Sequence, residues 1–132
     1  MGKIRVLLAH DHETILESVR TMLAEEFEIV ASVQNGQDAV QQTQRLNPDV
    51  LVIDISMPVL DGLQAARHLR SRKVGTKIVF LTVHEDEDFV TAAFAAGASA
   101  YVTKSCVTTD LVPAIRDALA GRKYIQMKSN YR

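Results

Sequence analysis

The stretch that most constrains this chain is an unbroken apolar run, Val50, Leu51, Val52 and Ile53, set between Asn47-Pro48-Asp49 and Asp54. A run of strand length without polar alternation, bounded by turn residues, suits a strand buried on both faces in the middle of a parallel sheet. The run ends in a carboxylate, Asp54, and then in a loop carrying Pro58 and Gly62. In open α/β sheets ligands bind outside the carboxyl ends of the strands. Asp54 therefore stands where such a fold does its chemistry, although this strand alone leaves open that Asp54 only caps the loop.

Strand and helix patterns alternate on either side of it. Residues 4–9 read as a first strand and 27–33 as a second. Between them, Ile15, Val19 and Met22 share one helical face, with Leu16 and Leu23 beside it. Asn35 is a candidate cap for a helix whose Ala39, Val40, Thr43 and Leu46 recur at helical spacing, and Asn47-Pro48 ends that helix. A helix over 63–70, a strand over 77–82 and an alanine-rich helix over 85–96 follow, the last closed by Gly97. Residues 99–102 read as a short fifth strand and 111–120 as a final helix closed by Gly121. Pro113 conflicts with the interior of that helix, so the helix is expected to begin late, near Asp110 as its cap; a kinked earlier start is the competing arrangement. This βα alternation predicts one α/β domain over residues 1–121, with a parallel sheet, right-handed crossovers and helices on both faces. Residues 122–132 are polar and basic and read as a tail or the start of a linker.

Composition narrows the function classes. With 132 residues and 47% hydrophobic content, one domain with a full core is expected. Fifteen basic against 16 acidic residues give a net charge of -1, which is no nucleic-acid footprint. The single cysteine, Cys106, forbids an intrachain disulfide. The first ten residues lack the apolar core of a signal peptide, and Val6 breaks the myristoylation pattern. No stretch reaches membrane-spanning length. A soluble cytoplasmic domain is the expectation.

The strand ends carry the chemistry. The first strand ends in Ala9-His10-Asp11-His12, the third in Asp54, the fourth in Thr82, and the fifth runs into Thr103-Lys104. A parallel sheet brings these ends to one rim. Two carboxylates there would attract a hard divalent cation such as Mg²⁺, which takes oxygen ligands and keeps several waters. An aspartate can also be a nucleophile toward phosphorus. A metal and the Lys104 ammonium would offset charge on the transferring group, and the Thr82 hydroxyl could donate to its oxygens.

The ordered set of motifs resembles the receiver domain of two-component response regulators, in particular the NarL/FixJ (LuxR-type) group. The resemblance rests on AHDH at 9–12, VIDISMPVLDG at 52–62, FLTVH at 80–84, FAAGASAYVTKS at 94–105 and AIRDALAGRKYI at 114–125. It implies a flavodoxin-like, doubly wound, five-stranded parallel sheet of order 2-1-3-4-5. It implies that Asp54 is phosphorylated by a sensor histidine kinase or a small phosphodonor. Asp11, Asp54 and the backbone carbonyl of Ser56 would hold Mg²⁺. Lys104 would pair with the phosphoryl group, Thr82 would be the switch hydroxyl, and Tyr101 the aromatic that turns inward with it. His84, like Ser56, would modulate phosphate lifetime through water access. The surface of the fourth helix, fifth strand and fifth helix would mediate homodimerisation or partner binding. Transcription would be regulated through a DNA-binding domain outside this chain. Such a domain is a phosphoacceptor that assists its own phosphorylation and dephosphorylation, not an enzyme for another substrate.

One position departs from the pattern. Where the family usually has an acid, this chain has His10. At about 5 Å the gross attraction to a divalent ion that is given up amounts to roughly 2–7 kcal/mol, much of it cancelled by solvation. Weaker Mg²⁺ binding is expected, with His10 a weak contributor through water or a nitrogen donor that admits Mn²⁺ or Zn²⁺. Three other readings stand beside the receiver. A stand-alone or phosphorylation-silent pseudo-receiver would act as a protein-binding scaffold. A haloacid-dehalogenase-type phosphatase wants a second Asp where this chain has Ser56. A flavin or dinucleotide binder wants a glycine-rich loop where it has His10-Asp11-His12.

Overall fold

The computed structural model describes residues 3–126. The elements are β1 (Arg5–Ala9), α1 (Glu13–Leu23), β2 (Glu28–Val33), α2 (Gly36–Leu46), β3 (Val50–Ile53), α3 (Gly62–Ser71), β4 (Lys77–Thr82), α4 (Glu87–Ala95), β5 (Ala100–Thr103), a 3₁₀ turn (Lys104–Cys106), α5 (Val107–Leu119) and β6 (Tyr124–Gln126). All strand pairs are parallel and the sheet order is β2-β1-β3-β4-β5-β6.

The strands β1 and β3 explain the two-layer build. Every residue of β3 is fully buried, because successive side chains enter opposite cores. Leu7, Leu51, Ile53 and Phe80 pack with α2, α3 and α4. Val6, Leu8, Val50, Val52, Val79 and Leu81 pack with α1 and α5. A strand clothed on both sides has no polar face, which is why 50–53 carries no alternation.

Local signals set the helix starts. The Asn35 side chain accepts from the Asp38 N–H at 2.8 Å and caps α2. Asp61 accepts from the Gln64 N–H at 2.8 Å while Gln64 accepts from the Asp61 N–H at 3.1 Å, a reciprocal box that starts α3. Gly62 lies against the strand end itself. A Cβ there would sit 2.0 Å from the Asp54 carbonyl oxygen, and the Gly62 N–H donates to the Ile55 carbonyl at 2.7 Å. The Asp-Gly pair thus docks α3 directly onto the backbone that carries Asp54.

Two expectations are corrected. Among the described residues the sheet has six strands, not five: residues 124–126 leave the expected tail and pair with β5, while 127–132 lie outside the described residues. The second correction concerns α5, which begins at Val107, not near Asp110, and runs through Pro113. Leu111, Ala114, Ile115 and Ala118 are all fully buried, so packing holds the helix in register across the proline. Pro113 and Thr109, whose carbonyl loses its usual helical donor, are exposed, so water can satisfy that carbonyl.

Gly62→Ala is expected to destabilise the domain by about 2–3 kcal/mol through overpacking. Urea unfolding measures this, and an unchanged midpoint would show that α3 does not need its close approach to Asp54.

Candidate functional site

The carboxyl ends of β1, β3, β4 and β5 meet at one rim, as a parallel sheet requires. Backbone bonds fix the strand ends: His10 N–H donates to the Val33 carbonyl at 3.1 Å and Asp54 N–H to the Ala9 carbonyl at 3.0 Å. Asp54 is 3% exposed. Its Oδ2 receives the Lys104 ammonium at 3.1 Å, and Lys104 is itself only 14% exposed in its side chain. Fifty residues separate the two in sequence. Asp54 Oδ1 has only a long, 3.4 Å contact from the Ser56 N–H. Asp11 follows β1 on the same rim, with an Oδ1 that is buried and, among the described residues, takes part in no hydrogen bond. His12 Nδ1 lies 3.1 Å from that oxygen but not in hydrogen-bonding alignment.

His10 is buried within this rim, at 1% exposure. Its Nε2 lies 3.0 Å from the Leu81 carbonyl, which can only accept, so Nε2 carries the proton and donates. Nδ1 is left with a lone pair and no partner among the described residues. Burial lowers the imidazole pKa below its ordinary 6.5, the negative charge of Asp54 opposes this, and Lys104 adds to the lowering. The ring is therefore neutral near pH 7, a polar filler where a carboxylate would add charge.

The Thr82 side chain is fully buried, and its hydroxyl accepts from the His84 N–H at 3.4 Å. The His84 imidazole bridges elements that are distant in sequence. Its Nε2 is 2.8 Å from the Ser56 hydroxyl, and its ring stacks on Phe89 of α4 at 4.1 Å and 19°. Its carbonyl accepts from the Tyr101 hydroxyl at 2.8 Å. Tyr101 is turned fully inward, at 0% exposure, beside Phe80. Burial, followed by the nearby charge of Asp54, raises its phenol well above the ordinary range. His68 lies away from the rim, on α3.

The rim thus brings together His10, Asp11, Asp54, Ser56, Thr82, His84 and Lys104, with Tyr101 behind it. The Ser56–His84 hydrogen bond and the Phe89 stack were not read from the sequence. One spacing pointed to the first: Ser56 and His84 each stand two residues past the polar end of adjacent strands, Asp54 and Thr82.

A rim in which a buried carboxylate faces an ammonium at the carboxyl edge of a 2-1-3-4-5-6 parallel sheet fits the receiver class, and comparison with known proteins agrees. The chain belongs to the response regulator receiver domain family, which matches residues 6–116. Its relatives are of the NarL/LuxR type. The chain is 37% identical over 129 residues to the transcriptional regulatory protein DegU of Brevibacillus brevis, covering 96% of this chain and 55% of DegU. It is similar in structure to the receiver domain of the putative response regulator NarL of Mycobacterium tuberculosis, with TM-score 0.88, 29% identity and coverage of 92% and 100%. A LuxR-family two-component response regulator from Aurantimonas gives TM-score 0.88 at 33% identity, with coverage of 94% and 89%. The chain spans about half the length of the curated relatives it matches. No helix among the described residues is long and apolar enough to cross a membrane.

Two outcomes test the electrostatics of the rim. Lys104→Met is expected to destabilise the domain by about 3 kcal/mol, because it strands a buried carboxylate, and adding Asp54→Asn should recover most of the loss. Urea unfolding of the four proteins measures the coupling. His10 takes up its proton more readily when unfolded, so its contribution to stability is present above about pH 6.5 and is lost as pH falls through the lower folded value. In EDTA, His10→Gln should therefore show a shallower fall in stability than wild type between about pH 7 and 5; parallel curves would place the titration elsewhere.

Proposed function

We propose that this chain accepts a phosphoryl group on Asp54 from a sensor histidine kinase or a small phosphodonor. The observation that carries the reading is the buried Asp54–Lys104 pair at 3.1 Å, on a rim that also holds Asp11 with an unpartnered oxygen. Oδ2 is engaged by Lys104, so Oδ1, with only a long contact to the Ser56 N–H, is the freer nucleophile. An Asp54 oxygen–phosphorus bond forms as the bond from phosphorus to the donor's leaving nitrogen or oxygen breaks, and the leaving atom takes the electron pair. Lys104 then follows the charge onto the phosphoryl oxygens, and the Thr82 hydroxyl turns toward them as a donor. The domain is in this reading a phosphoacceptor that assists its own phosphorylation and dephosphorylation.

The donors on the rim fit a hard divalent cation. Asp11, Asp54 and the Ser56 backbone carbonyl would hold Mg²⁺, with water completing the shell. Among the described residues no cluster of three or more His, Cys, Asp or Glu side chains is gathered tightly enough to hold a metal without such help. Bound there, Mg²⁺ would offset negative charge on the phosphoryl oxygens. His10 offers a neutral nitrogen lone pair at Nδ1, which would relatively favour Mn²⁺ over Mg²⁺.

His84 and Ser56 flank Asp54, and their hydrogen bond would limit the water that reaches an aspartyl phosphate. The bistable part is the segment from Thr82 through His84 into α4, together with Tyr101. Its output would be a changed α4–β5–α5 face, with residues 124–126 along β5 as part of it, that a second copy or a partner reads. In the cytoplasm it would regulate transcription through a DNA-binding domain outside this chain, since DegU is a transcriptional regulatory protein. The missing acid at His10 supports one other reading, a phosphorylation-silent scaffold.

Acetyl phosphate and Mg²⁺ should add the mass of one phosphoryl group to the wild type and none to Asp54→Asn; an unchanged wild-type mass supports the silent scaffold. By the charge argument, His10→Asp should tighten Mg²⁺ by about fivefold, roughly 1 kcal/mol. Equal affinities in a Mg²⁺ titration would remove that argument.

A further inference from the structure

Residues 122–126 are held by more than the strand they pair with. The Arg122 N–H donates to the Asp117 carbonyl at 2.8 Å, and its guanidinium reaches the Asp117 carboxylate at 3.0 and 3.2 Å, both on α5. The Lys123 ammonium lies over the Phe94 ring of α4, 5.2 Å from its centroid. The Tyr124 hydroxyl donates to the Asp110 carboxylate of α5. Along β5, Ala100 pairs with Tyr124, Tyr101 with Ile125 and Val102 with Gln126. One short segment therefore touches α4, β5 and α5 together.

We propose that Arg122–Gln126 is an intramolecular strap that seals the outer edge of β5 and keeps Tyr101 turned inward. The register carries the argument. Paired residues of a parallel ladder point to the same face, so Ile125 stands beside Tyr101 on the side of the sheet that α4 covers. Tyr124 faces the opposite core, packed beside α5. In this arrangement an outward Tyr101 ring would need the edge of β5 that Ile125 lines beside it, so the docked strap disfavours the outward ring. A three-residue strand is too short to persist by its ladder alone, so the side-chain anchors decide whether it stays. Ile125 is 42% exposed, so on the α4 side the strap covers little apolar surface, and Tyr124 is its main apolar contact.

The strap connects to the acidic rim through one chain of contacts. The Tyr101 hydroxyl is bound by the His84 carbonyl, the His84 N–H by Thr82, and the His84 ring by Ser56. Whatever moves Thr82 and His84 changes the hold on Tyr101 and hence the room left for β6. Linkage makes this reciprocal: a state that favours inward Tyr101 favours the docked strap, and the docked strap favours that state. The link to phosphorylation rests on the proposed role of Asp54; the strap itself does not.

Amide hydrogen exchange on the full chain, with and without acetyl phosphate and Mg²⁺, tests both halves. Without phosphodonor, Lys123→Ala/Tyr124→Ala should raise exchange in Tyr101–Thr103 by about tenfold and leave β1 and β3 unchanged. Unchanged β5 protection overturns the strap, and Lys123→Ala alone gives the same comparison if the double variant does not fold. With phosphodonor, a phosphorylated wild type should gain protection at 124–126. A mass increase without that gain overturns the coupling and leaves the phosphoacceptor reading intact. With no mass increase, the phosphoacceptor reading and the coupling fall together, and the first comparison still decides the strap.

Discussion

The arrangement depends on one ion pair in a place where neither partner would be stable alone. A carboxylate as buried as Asp54 is costly to keep ionised unless a cation meets it, and Lys104 does so from the turn that follows β5. The pair is formed only if β4 lies between β3 and β5 and all three run in the same direction. It therefore couples the local chemistry to the topology of the whole sheet. Gly62 adds a second constraint, since the start of α3 rests against the Asp54 carbonyl with no room for a Cβ.

His10 shows how the same rim is tuned by one substitution in kind. An acid at this position would place a third negative charge near Asp11 and Asp54. The imidazole is instead held by the Leu81 carbonyl and kept neutral by burial. It fills the space, satisfies a backbone acceptor and leaves a lone pair at Nδ1. The rim is less negative as a result, with Asp11 and Asp54 still in place.

Much of this was legible residue by residue. Val50 to Ile53 reads as a doubly buried strand because both of its faces enter a core, and no polar residue is tolerated there. Asn35, with its cap, was visible because its consequence is local. So were Asp54, Thr82 and Lys104, since strand ends are marked by a change in residue type and a parallel sheet collects them. Two readings failed where the tertiary structure overrode a local rule. Pro113 argued for a late helix start, but the buried face of α5 extends across it. Residues 124–126 looked like a polar tail because a short edge strand needs no apolar run, only a free edge and a few anchors. The Ser56–His84 contact joins two loops on neighbouring strands; their equal offset from the strand ends hinted at it, but only the adjacency of β3 and β4 brings the two side chains together.

The sequence by itself determined the alternation of strands and helices and the identity of the groups delivered to the rim, because periodicity and strand-ending residues are properties of short segments. Only the tertiary structure decided which of those groups touch, which His10 nitrogen is free, where Tyr101 points and that the chain folds back along β5. These depend on distances between segments far apart in the chain, set by packing two helical layers against a twisted sheet, and no stretch of residues contains that information alone.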